Sequence, residues 1–158
     1  MSREVRYKTE IVIPQPQLAQ GKVNVKDRVL PESPCWEMLK AAVEQVAREQ
    51  GGNVSHQYND CNGNRHDCLF AARTPNFPRG VGINVDAHGQ VHFVYDEQRQ
   101  GSAVGSLNAA RGLCAAISQA YAARAVHRAL QVCGFQTQDQ VLQQQGQRFI
   151  LIQGAKTL

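Results

Sequence analysis

Several features that would announce a chemistry at once are missing from this chain. No apolar run approaches the ~20 residues of a bilayer-spanning helix, and residues 1–10, MSREVRYKTE, are charged throughout. We therefore expect neither a secretory signal nor a membrane anchor, and a cytoplasmic protein. Phosphate loops are absent: GSAVGS, at 101–106, lacks the lysine of a Walker-type loop and the glycine spacing of a dinucleotide-binding turn. No two cysteines form the closely spaced knuckle that usually supplies half of a structural zinc site. The acids Asp86, Asp96 and Glu97 fall at turns and strand ends, where carboxylates are routine. Aromatic residues make up 6% of the chain, and no basic–Gly–aromatic string surrounds them, as an RNA-recognition sheet would need for stacking bases. The chain is expected to work without metal, cofactor, membrane or nucleic acid.

What remains is an ordinary amount of core. At 158 residues, 42% hydrophobic and 19% charged, the chain is one domain with enough apolar surface to fold alone. A net charge of +4 is mildly basic and falls short of the concentrated charge of a dedicated nucleic-acid binder. Five cysteines is an odd number, and Cys35, Cys114 and Cys133 lie in helix-compatible stretches where thiols act as small hydrophobes.

Val5, Tyr7, Thr9, Ile11 and Ile13 alternate with polar residues, a period of two that predicts a strand with one face inward. Pro14 and Pro16 end it, and about 14–34 reads as an insertion within the single domain. Ser33-Pro34 opens a helix as cap and first-turn proline, Trp36, Leu39, Val43 and Val46 follow at helical spacing, and Gly51-Gly52 stops it. Val54–Tyr58 and Cys68–Ala72 flank the tight-turn dipeptide Asn62-Gly63. TPNFPRG reads as a loop, and Val81–Val85 with Val91–Tyr95 form a hairpin around Asp86–Gly89. A long helix is expected over Leu107–Cys133, with Ser106 at its N-cap and Gly134 at its left-handed stop. Its side carrying Cys114, Tyr121, Ala125, Ala129 and Cys133 should face the sheet. Two further short strands surround a QQGQ turn, in a segment with seven glutamines between Gln136 and Gln147 that reads as a solvated face. The predicted fold is α+β: an antiparallel sheet with two helices on one face, in a ferredoxin-like or split βαβ arrangement.

Between Val81 and Gln153 the residues also form a spaced pattern: a hydrophobic hairpin ending in VYD, then Gln119-x-Tyr121-Ala122 with Val126 and Ala129, then Gly134-Phe135, Gly146 and FILIQ. That pattern resembles the family of unknown function that includes hypothetical chloroplast reading frame thirty-five. The insertion and the loop around Cys61 depart from it. Members of that family are often encoded beside an AAA-type ATPase, so the resemblance implies a non-catalytic accessory or adaptor role with such an ATPase as partner. It brings no catalytic residue with it.

Three constellations could carry function. His56, Cys61, His66 and Cys68 are zinc-ligand and nucleophile types in one hairpin, which would suit a small-molecule site or enzyme, but without knuckle or oxyanion elbow. Phe93 and Tyr95 share a strand face, the minimum for an RNA-binding module. Arg124, His127 and Arg128 form a basic stripe on the long helix, and we expect these three to contact a protein partner. Val12, Val94 and His92 fall on the sheet face away from the helices and suggest a homodimer through the sheet.

Overall fold

The computed structural model describes residues 3–13, 34–86, 88–98 and 104–156, with backbone alone at 104–107. Of the insertion expected at about 14–34, residues 14–33, the capping Ser33 among them, lie outside the described residues, and Pro34 already belongs to α1. β1 (Glu4–Val12) leads to α1 (Pro34–Glu49), then β2 (Asn53–Asn59), β3 (Arg65–Thr74), β4 (Phe77–Val85), β5 (Gln90–Asp96), α2 (Val104–Val132), β6 (Gln136–Gln144) and β7 (Gln147–Ala155).

The α+β plan is as expected, with one five-stranded antiparallel sheet in the order β1-β5-β4-β3-β2. Its connectivity is a meander, β2 to β5, closed by β1 at the β5 edge. No pair in it is parallel, whereas a split βαβ unit joins parallel strands through a helix. β6 and β7 do not extend this sheet; they form a separate two-stranded ribbon of nine paired residues each.

Both helices lie on one face because the alternating strand residues offer that face as apolar cover. Val81, Ile83, Val91 and Phe93 meet Trp36, Leu39 and Val43 of α1 and Leu113 and Ile117 of α2, all buried in one cluster. Each helix ends on glycine in the left-handed region. Gly51 has φ +73°, with Gly52 N donating to Ala47 O, and Gly134 has φ +86°, with Phe135 N donating to Leu130 O.

The expected TPNFPRG loop is mostly strand. Thr74 already pairs with Phe77, leaving only Pro75-Asn76 as the turn. Phe77 is buried edge-on against Tyr95 at 6.0 Å, which draws the segment into the sheet. Pro78 costs no bond to β5, because pairing to β5 begins only at Gly82.

α2 also begins earlier than expected, at Val104, so Ser106 lies inside the helix and is not its cap. Its sheet-facing side is corrected too. Ala110, Leu113, Cys114, Ile117 and Ala120 are buried, whereas Ala129 and Cys133 are exposed. Length explains this: 29 residues extend about 43 Å, while a nine-residue strand spans about 30 Å. The helix outruns the sheet, and the β6–β7 ribbon rests on the overhang.

The other sheet face is not bare. β3 carries extra residues opposite Ser55–Gln57, and this bulge curls the β2–β3 hairpin over the sheet. Tyr58 then lies above Gly82, where a Cβ would stand 2.7 Å from its ring, and buries Val94, Cys68 and Ala71. The apolar face that suggested a homodimer through the sheet is therefore covered at Val94 by the chain itself.

Candidate functional site

The Cys/His hairpin tip resolves into turn chemistry. Asp60 Oδ1 accepts from the amides of Asn62 and Asn64 at 2.8 and 2.9 Å, and Asp60 Oδ2 lies 3.1 Å from both Asn64 Nδ2 and His66 Nε2. Burial pushes this carboxyl up, but the bonds from His66, Asn64 and Asn62 outweigh that and hold it at about 2. His56 turns its Nδ1 to Leu69 O at 2.7 Å, Cys68 is buried beside Tyr58, and Cys61 lies against Asp96. Among the described residues no three His, Cys, Asp or Glu side chains converge on a metal position. Burial and the Asp96 charge push the Cys61 thiol up, the opposite of what activates a nucleophile.

Asp96 proves to be an organising group that its strand-end position did not betray. It is 2% exposed, and its carboxylate accepts from Arg3 N, Gln98 N and Cys61 N at 2.9, 2.8 and 2.7 Å. Those amides hold its pKa below the usual carboxylate value against the effect of burial. One side chain thus pins Arg3, the β2–β3 tip and the exit from β5.

The basic stripe on α2 is divided by its surroundings. Arg124 faces α1, where Nη2 donates to Gln45 Oε1 at 2.8 Å and Nε is buried without a hydrogen-bond acceptor. His127 stands 3.7 Å from Asp139 of β6. Arg128 is exposed. Phe93 and Tyr95 point beneath the helices at 0% and 5% exposure, where no base could stack.

Two surfaces stand out by what they leave uncovered. Among the described residues, the exposed large hydrophobics are Tyr7 and Val12 on β1, and Val126, Val132, Val141, Phe149 and Leu151 on the α2 overhang and its ribbon. At β1 they border a cleft. Tyr7 stacks on Phe93 at 6.5 Å, yet is 57% exposed because α2 passes to one side of it. Between β1 and α2 open two adjoining hollows of about 430 and 710 Å³, which share Tyr7 and Ser118. The first is lined by Tyr7, Tyr95, Arg111, Cys114 and Ala115 with Ser118. The second runs past Gln119, Tyr121 and Ala122, and past Thr9, Glu10, Ile11 and Val12.

β1 is the end strand of the sheet, so the wall formed by Thr9 to Val12 includes its outer edge. β1 has no partner along that edge among the described residues. Here β1 is bulged: Thr9 Oγ1 donates to Val91 O at 2.7 Å, and Gln90 Nε2 donates to Thr9 O and Ile11 O. Neither the thiol nor the buried phenol that the described residues place at the cleft is activated. Burial pushes the Cys114 thiol up to about 12, and burial followed by Cys35 pushes the Tyr121 phenol up to about 12. Both therefore stay protonated at neutral pH. Arg111 stands by Tyr95 at one mouth and Glu10 at the other.

No family model, curated protein or solved structure matches the chain. No described helix is long and apolar enough to cross a membrane.

Proposed function

We propose that this protein is a non-catalytic accessory or adaptor that grips another protein by an extended segment laid along the edge of β1 that no described strand pairs. The reading rests on the coincidence of a strand edge unpaired among the described residues, Thr9–Val12, with an apolar hollow between Tyr7 and α2. Main-chain hydrogen bonds from a strand edge give general affinity, and a pocket beside the edge selects one side chain. A segment with an apolar or aromatic residue for the Tyr7–Cys114 hollow, and an acidic residue toward Arg111, fits both walls. The resemblance described above puts an AAA-type ATPase first among candidate partners. A cytoplasmic location belongs to the same proposal, since an odd number of cysteines suits a reducing compartment.

Affinity capture from the native host with the full chain, repeated with Ser118→Trp, tests it. The indole would fill the space shared by the two hollows without touching the α1 packing. The expected result is loss of the captured protein with melting temperature held. Equal capture by both chains refutes the cleft as the docking site.

A further inference from the structure

The β6–β7 ribbon divides its charged and its neutral residues between its two faces. Its register pairs Leu142 with Phe149 and Gln140 with Leu151, so these share one face, and the pairs between them place Asp139 and Arg148 on the other. The Asp139 face is turned to the helices: Asp139 approaches His127, Arg148 approaches Glu49 at 3.9 Å, and Gly154 lies against Phe135 and Leu130. Both charged residues of the ribbon are therefore used inward. The outward face carries Leu142, Phe149 and Leu151 among six glutamines and has no charge at all, on a chain of net charge +4. Phe149 is 47% and Leu151 40% exposed.

A two-stranded ribbon is marginal on its own, and strand edges left in solvent are normally guarded by charge. Here both charges of the ribbon lie on its inward face and none lies on the outward one. A charged partner surface would lose hydration against it and gain no counter-charge. A carboxamide both donates and accepts hydrogen bonds, so a face of glutamines around an apolar centre is complementary to itself. We propose that the outward face of the β6–β7 ribbon is a self-association surface, on which a second copy of this chain seats its own ribbon about a two-fold axis. The face is about 30 Å long and about 10 Å wide. Two copies would bury roughly 600 Å² in all, below the ~1,200 Å² of a standard stable interface. The dimer is accordingly weak and forms by mass action at high protein concentration.

Sedimentation velocity of the full chain over a micromolar-to-millimolar series tests this. The expected result is a sedimentation coefficient rising toward the dimer value, with Phe149→Gln/Leu151→Gln remaining monomeric. Since that variant could also loosen the ribbon, a charge pair supplies the decisive arm. Gln138→Lys/Gln140→Lys and Gln138→Glu/Gln140→Glu should each be monomeric alone, while their equimolar mixture associates at least about tenfold more tightly than either and weakens with salt. A wild-type chain that stays monomeric throughout overturns the proposal, as does a lysine variant that still dimerises. The adaptor reading is tested separately, because Ser118→Trp lies in the β1 cleft and leaves the ribbon untouched.

Discussion

Arg124 and Arg128 are one helical turn apart and look interchangeable in the sequence, yet the structure assigns them different work. Arg124→Glu removes the guanidinium bond to Gln45 and sets a carboxylate in the half-buried seam between α1 and α2. A hydrogen bond to a charged group contributes about 1.5–3 kcal/mol. For a domain of this size each kcal/mol moves the melting temperature by about 2–4 °C, so a fall of about 3–12 °C is expected. Arg128→Glu changes an exposed residue and should cost within about 0.5 kcal/mol, or about 2 °C. Arg124→Met keeps the aliphatic stem and also removes the buried, unsatisfied Nε, so its expected cost is about 1 kcal/mol. Differential scanning calorimetry, checked by urea unfolding, measures all three. Equal shifts for the two Glu variants would refute the placement of Arg124 in the helix seam.

Other expectations are as direct. At Gly52 a Cβ would stand 1.8 Å from Arg73 O, which is backbone and cannot swing away, so Gly52→Ala should cost about 3 kcal/mol or more. Gly51→Ala meets only the φ +73° strain in open space, about 1–2 kcal/mol, and a reversed order by urea unfolding would contradict the packing. Asp60 has a lowered native pKa, so its stabilisation is complete above 3.8 and lost as pH falls through about 2. Asp60→Asn should therefore flatten the acid limb of a stability–pH curve, and an unchanged limb would show that the turn hydrogen bonds do not form. In timed alkylation read by peptide mapping, exposed Cys133 should react first and buried Cys68 and Cys114 only on unfolding. Early modification of Cys114 would mean that the floor of the cleft is open.

The period-two runs of β1, β4 and β5 and the glycine stops of both helices were legible because each rests on local rules. The dipeptide Asn62-Gly63 and the Gln145-Gly146 turn, with φ of 52° and 75° at the latter pair, belong with them. What escaped depends on distant parts of the chain. Tyr7 sits in an alternation that reads as core, and only the path of α2 leaves it half uncovered. Val94 reads as an open-face residue, and only a bulge in β3 brings Tyr58 over it. Asp96 looks like a routine strand-end acid because its three amide donors come from Arg3, Cys61 and Gln98. Arg124 and Arg128 share a stripe whose seam side is set by α1. The neutral face of the ribbon, by contrast, was available from parity alone, since every residue there sits on one phase of β6 or β7.

The overhang of α2 has a consequence for how the molecule opens. Beyond Tyr121 the helix is no longer clamped by the sheet, and the last strands reach the main body through that helix and a few polar contacts such as Gln119 Nε2 to Arg148 O. Helix propagation is cooperative over about a turn or two, so the distal segment can fray while Leu113 and Ile117 stay locked. Amide exchange should then report two units, a slow one ending near Tyr121 and a fast one from Val126 to Ala155. Whatever grips the distal unit would slow exchange there by its own binding free energy and leave the slow unit as it was.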